Sequence, residues 1–477
     1  MTDKNKPHLL KAFIKCLLIL TLGIAISGCK IVDSKNSIDE KTVDEIISKA
    51  KPVIEEITGR KFKSEVEYKI VNRNDFQKIQ TENMLNEIRE WQKEMGEDII
   101  KRMIERSSQL RSQFYIARHL HRKKTIYIIQ NNIIPIKELY EISNEDLPDF
   151  LFIVIAHEML HALDNQHYDL AKFLFEGQNR EEVEARGSVI GGSAAFVTRK
   201  LAARLNISEA LYKKSLMLDI CMKNEDDPIA NETFNRYYVK GEQFMQAIID
   251  KKGMEAYGSA FLSPPRSTRE IYNPAEYLDH INLPIFDCEE LIKKVSVTLP
   301  KKEGMRSQTS VFGTTTIKGS LINEGINEED ATFIADNCLI AASHSSILQS
   351  IDPSVTSLTV INLKKMDVAK KYSEIMGLID QSKDEQQKAR LNTTLTIIKD
   401  EEVNIKGYQS ARLKIADLKV DTKTMRKIVV NAILDNLYIS SENLNMEELT
   451  EDKLIEVLKL INSEYLKMKQ GEKTSAL

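Results

Sequence analysis

Residues 150–163 read Phe-Leu-Phe-Ile-Val-Ile-Ala-His-Glu-Met-Leu-His-Ala-Leu, and this run constrains the fold more than any other stretch of the chain. Ser143 and Asp146 resemble a capping box ahead of it and Pro148 falls in the first turn, so the spacing predicts a helix reaching to about residue 166. A helix this apolar belongs in a core, yet it carries two imidazoles and a carboxylate. Burying such groups unpaired costs roughly 2–7 kcal/mol each. On a helix, residues four apart share a face, so His157 and His161 can aim ring nitrogens at one point, while Glu158 lies about 100° further around. A divalent metal ion answers the burial problem. Zinc held by neutral imidazoles acidifies a bound water, and Glu158 is placed to act on that water as general base and then acid. The competing reading is a buried histidine pair satisfied by backbone carbonyls or carboxylates.

Around this run the periodicity predicts amphipathic helices over 42–57 and 76–112, a strand at Glu65–Val71 and a second strand at 123–130 just ahead of the motif. A further helix is expected over 180–205, with helical segments to about 262, where Ser-Pro-Pro-Arg-Ser-Thr interrupts the pattern. Beyond about 290, strand-like segments (358–363, 394–400, 408–418 and 424–434) mix with helical ones (366–382 and 451–469). The fold class expected is therefore α+β, with a front portion over 45–290 and a second α+β portion over 291–477.

Composition removes several function classes. Of 477 residues 42% are hydrophobic, enough for real cores, and 67 Lys plus Arg nearly balance 71 Asp plus Glu. The resulting charge of −4 supports neither nucleic-acid binding nor a polybasic membrane surface. The first 28 residues read as an export signal: Lys4, Lys6, Lys11 and Lys15 precede an apolar run too short to span a bilayer comfortably. Its end, Ile26-Ser27-Gly28-Cys29, resembles the lipobox of bacterial lipoproteins, which implies lipidation at Cys29, a polar tether over 29–44 and residence on a cell or outer membrane facing the periplasm or exterior. A simple anchor helix is the competing reading, and Lys30 is compatible with outer-membrane sorting. Cys221, Cys288 and Cys338 are too few and too widely spaced for a disulfide framework.

The segment His157–Leu170 resembles a family of bacterial and archaeal predicted zinc-dependent peptidases, whose helix reads approximately H-E-x-x-H-A-L-Q-D-Q-H-F-D-L. Residues 237–248 are similar to that family's Y-x-x-G-x-x-F segment and residues 263–278 to its P-P-x-S-T-E-Q-I-L-H-P-E-K-Y segment, so the resemblance covers about residues 120–280. It implies a zincin-like metallopeptidase domain, a zinc cofactor, a peptide or protein substrate, and an edge strand, here 123–130, along which a substrate could add. Two positions depart from the pattern. Gly191 stands where the family's third metal ligand, a glutamate, is expected, and Asn273 where it has a histidine. Glu184, two turns before Gly191 on the same helix face, is the expected replacement ligand, and Glu181 the competitor; both could instead simply complement the helix dipole. Gly191 and Gly192 would allow a close approach to the His157 helix. Asp164 and Gln166 are candidates to orient the histidines, or else close the helix end. Tyr237 and Tyr238 are candidates to face substrate, while His167 and the His119/His121 pair read as surface groups. The expectation is a membrane-anchored zinc peptidase, with a catalytically degenerate binding or scaffolding lipoprotein as the alternative.

Overall fold

Thr125–Ile129 is apolar or aromatic at four of five positions and buried at all of them, the signature of a strand covered on both faces. In the computed structural model it is indeed the middle strand of a small sheet. The structure describes residues 38–88, 96–218, 227–281, 283, 285–348, 354–388, 393–420, 422–446 and 450–475. Cys29 with the preceding export signal, most of the tether, and Cys221 lie outside these residues.

From Glu40 onward the chain forms one compact unit of mixed α+β structure. Its front part begins with helix α1 (Glu40–Thr58), strand β1 (Tyr68–Val71), helices α2 (Arg73–Leu85) and α3 (Glu97–Arg111), and strands β2 (Ala117–Leu120) and β3 (Thr125–Ile129). The long helix expected over 76–112 is thus α2 and α3, with 89–95 outside the described residues. The sheet order is β1-β3-β2, β1 running parallel to β3 and β2 antiparallel, with Leu120 opposite Thr125. This corrects one expectation: β3, buried on both faces, is the central strand, and the edges are β1 and β2, of which β2 meets the motif helix. Phe76 of α2 packs against Tyr115, Leu120, Tyr127 and Ile129 on one side of the sheet.

Helix α4 (Leu147–Tyr168) carries the apolar run and is buried from Phe150 to Ala156 without interruption. Its start is fixed locally, the Asp146 N–H donating to Ser143 Oγ at 3.0 Å with Pro148 in the first turn. Its end is tied to the segment after α1: Gln166 Oε1 accepts from Lys63 N at 2.7 Å, and His167 Nε2 lies 2.9 Å from Lys61 O. Helix α5 (Arg180–Arg204) opens on Asn179, whose side chain accepts from the Glu182 N–H. Helix α6 (Glu209–Leu216), a π-helical turn at Asn235–Lys240 and helix α7 (Gly241–Lys252) complete the surroundings of α5.

The second part is an antiparallel seven-stranded sheet, β4 (Arg306–Phe312), β5 (Cys338–Leu348), β6 (Ser354–Leu363), β7 (Thr393–Glu402), β8 (Ser410–Val420), β9 (Lys423–Leu434) and β10 (Leu437–Leu444), in the order β4-β5-β6-β10-β9-β8-β7. Alternation along the strands feeds two cores. One face packs Ala342, Val360, Leu413, Val430 and Ile439 under α8 (Cys288–Ser296) and α12 (Glu451–Ser475). The other packs Ala341, Ile361, Ile433 and Tyr438 under α9 (Thr314–Asn323), α10 (Glu328–Asn337) and α11 (Met366–Lys388). The Pro-Pro-Arg-Ser-Thr segment is the joint between the two parts: Thr268 N donates to Glu181 Oε1 at 2.8 Å, and Arg269 donates to the carbonyls of Asp336 and Cys338 while pairing with Glu276. Cys288 and Cys338 are buried free thiols. Among the described residues no helix is long and apolar enough to cross a membrane.

Candidate metal site

The four-residue spacing on α4 brings His157, Glu158 and His161 together, with one ligand-capable atom from each lying within 4.8 Å of the others, a group that could hold a metal ion. The two imidazoles meet edge to face, ring centres 4.9 Å apart. His157 is half-buried and, with Glu158, floors a narrow cleft of about 30 Å³ walled by Tyr115, Ala117, Arg118, Val154, Leu216 and Tyr238. His161 lies deeper, and its Nδ1 is buried without a hydrogen-bond partner. Burial, reinforced by the neighbouring His157 and His121, holds the His161 imidazole well below its ordinary pKa and so in the neutral form that ligates metals.

Neighbouring elements hold these groups in place. Thr198, from the middle of α5, places Oγ1 3.3 Å from His157 Nδ1. When Nδ1 carries the proton and donates to that hydroxyl, Nε2 is left bare, which is the tautomer a metal requires. Glu158 is only 5% exposed, and its Oε2 accepts from the backbone N–H of His119 at 2.6 Å, so edge strand β2 is docked directly on the motif.

The His119/His121 pair is therefore no surface feature, contrary to the expectation from sequence. His119 lies on β2 and His121 opens the turn after it, and the backbone of both is held by α4 through Glu158 and Asn165. His119 is 2% exposed, and burial pushes its imidazole down to about 3. Burial likewise holds the His121 imidazole well below its usual value. The two Nδ1 atoms are 3.1 Å apart, and the His121 ring stands edge to face with His161 at 5.9 Å. The signal that could have found them was present in sequence, two histidines two residues apart just ahead of the strand that precedes the motif helix.

Other candidates are engaged elsewhere. Glu184 Oε1 pairs with Arg180 Nε at 2.7 Å and its Oε2 with Arg236 at 3.7 Å; Arg236, 1% exposed, also donates to the Glu184 carbonyl and to Ser188 Oγ. Glu181 is clamped by the Thr268 amide and hydroxyl, and burial together with Glu184 raises its carboxyl to about 7. Asp164 does not reach the histidines: its Oδ2 accepts from Ser193 Oγ at 3.1 Å and Tyr257 OH at 3.0 Å, which locks α4 to α5, and burial lifts it to about 7. Gln166 holds the chain segment at Lys63 and Ser64. Asn273 Nδ2 donates to the Arg269 carbonyl at the joint with the large sheet.

The glycines of α5 also serve another contact than expected. A Cβ on Gly191 would meet the Tyr237 carbonyl at 3.1 Å, one on Gly187 would fall 2.7 Å from the Tyr237 ring, and one on Gly192 would collide with the Gly241 backbone. The close approach is thus to the π-helical turn and α7, and it is this packing that delivers Tyr238 to the cleft, 6.4 Å from the His157 ring. π-turns often occur where a side chain is re-aimed at a site.

No family model matches the chain, and no curated protein does. Among solved structures the chain is similar to one from Chloroflexus aurantiacus described as a candidate hydrolase with a novel fold, at 17% identity and a TM-score of 0.38, covering 52% of this chain and 93% of that one.

Proposed function

We propose that the chain is a zinc-dependent peptidase of zincin-like plan, exported and anchored through lipidated Cys29, matching the peptidase family its motifs resemble. The observation that carries this reading is the convergence of His157, Glu158 and His161 on one point, with His157 and Glu158 lining a cleft and His161 beneath them. Two imidazoles and an orphaned buried ring nitrogen suit zinc, a borderline ion that favours nitrogen donors. Bound zinc supplies an acidified water near neutral pH and a polarising charge for a carbonyl.

The chain's own residues do the rest. His157 and His161 hold the ion, with Thr198 setting the tautomer of His157. Glu158, aimed by the His119 amide, takes a proton from the attacking water and delivers it to the leaving amine. Ala117 and Arg118 bring the outer edge of β2 to the cleft wall, where an extended peptide can pair as an added strand, and Tyr238 faces the same space. The test is cleavage of an unfolded protein substrate by the purified full chain: Glu158→Gln is expected to abolish turnover while zinc stays bound. Turnover that survives in this variant overturns the reading.

A second reading, a binding lipoprotein that keeps this architecture without turnover, is favoured by one observation: both the Gly191 position and Glu184 are committed to packing and arginine pairing. Purified protein devoid of zinc would select it.

A further inference from the structure

We infer that His121, first residue of the turn that follows edge strand β2, is the third protein ligand of the ion held by His157 and His161. The inference rests on the metal-site reading above and assigns the place that Glu184 and Gly191 leave open.

Geometry carries it. The backbone of His121 is fixed by the motif helix itself, since Asn165 Nδ2 donates to the His121 carbonyl at 2.8 Å while Glu158 receives the amide of His119 two residues earlier. One helix thus carries two of the imidazoles and holds the strand end and turn that carry the third. Two imidazoles on one tetrahedral ion, with nitrogens about 2.1 Å from it, have ring centres about 5 Å apart. The His157–His161 separation is 4.9 Å and the His121–His161 separation 5.9 Å. His121 is not one of the three residues whose ligand atoms lie within 4.8 Å of one another, so ligation requires its ring to swing closer to His161 than the present 5.9 Å between ring centres.

The proton arrangement agrees. An Nδ1–Nδ1 contact of 3.1 Å between His119 and His121 needs a proton on one of the two nitrogens. With His121 as the donor, its Nε2 is bare and ready to ligate, and His119 is the positioning residue that keeps it so, the role usually taken by a carboxylate or carbonyl behind a ligating histidine. The alternatives are spent: Glu184 neutralises Arg180 and the buried Arg236, and Glu181 is held by Thr268. A three-imidazole set leaves Glu158 out of the coordination shell and available for proton transfer.

The experiment uses the full chain loaded with zinc. X-ray absorption at the zinc edge counts imidazoles without any substitution, and three are expected. Chelator competition is then expected to show zinc affinity weakened at least ~100-fold in His121→Ala and in His121→Gln, a loss beyond the ~10–100-fold typical of outer-shell partners. Glu184→Gln is expected to stay within about threefold of the parent, the scale below which no ligand has been lost. Two imidazoles at the edge, or an unchanged affinity in a folded His121→Gln, overturns the assignment while leaving a metal site in place. A parent protein that takes up no zinc at all overturns both.

Discussion

Helices α4 and α5 both bury ionisable side chains against a neighbour, and they dispose of them in opposite ways. On α5, Glu184 is the counter-ion of two arginines, Glu181 accepts from the Thr268 amide and hydroxyl, and the glycines let a backbone come close. On α4, facing β2, the imidazoles gather around one carboxylate, Glu158, which accepts from the His119 amide, and His161 Nδ1 is buried without a hydrogen-bond partner. Buried polar groups are ordinarily paired, so the α5 arrangement is what a structural network looks like and the α4 arrangement is what a binding site looks like. Acidic residues on a helix beside a motif are weak evidence of ligation until their partners are known.

The largest expected effect breaks the α5 side of this contrast. Arg236→Met removes a cation buried to 1% exposure from beneath Glu184 and Ser188, and one-sided removal of a buried pair costs about 3–5 kcal/mol. Thermal or urea unfolding measures it. In an Arg236→Met, Glu184→Gln background the cost is expected to be smaller, because no uncompensated carboxylate is left behind. If Arg236→Met costs under about 1 kcal/mol, the pair does not hold α5 in place and the contrast fails.

Gly192→Ala comes next. The new Cβ would collide with the Gly241 backbone, which cannot rotate away as a side chain would, so α5 and α7 must part. Overpacking of this kind costs about 1–3 kcal/mol, against a gain of about 1 kcal/mol in helix propensity, and a net loss of up to about 2 kcal/mol is expected at the seam that positions Tyr238. Unchanged unfolding, together with an unchanged cleft in a structure of the variant, would show the seam to be loose. Gly187→Ala meets only the edge of the Tyr237 ring and is expected to cost less.

Much of this was legible in the sequence. Helix α4, helix α5, strands β1, β3, β6, β7, β8 and β9 and helix α11 follow from apolar periodicity, which burial enforces locally. The motif triad was readable because helical spacing alone brings His157 and His161 together. What was not readable depends on pairing between distant segments. Strand β3 became the centre of its sheet and β2 an edge through a choice of partners, and Glu184 was claimed by Arg236, 52 residues further on. The roles of His119 and His121 came from the docking of β2 on α4. Strands β5 and β10 flank β6 in the large sheet, and in them Ser343, Ser345, Ser440 and Ser441 blur the apolar alternation that marks a strand.

The smallest effect sharpens the contrast through pH. Glu181 is buried, and with Glu184 nearby its carboxyl is raised from the ordinary glutamate range to about 7. The folded state therefore keeps a proton that the unfolded chain has already released, and stability falls as pH rises from the ordinary carboxylate range until the folded group ionises near 7, levelling off above that. Between pH 6 and pH 8 this one group should lower the unfolding free energy by about 1 kcal/mol. Glu181→Gln removes the ionisation and keeps an Oε1 that can accept from Thr268, so the variant should lose less stability than the parent over that interval, by about the same 1 kcal/mol. Parallel pH profiles of unfolding for the two proteins would mean that Glu181 is ionised throughout. It would then be a second buried carboxylate charge beside Glu184, set against the same arginine, and α5 would carry the uncompensated polarity that distinguishes α4.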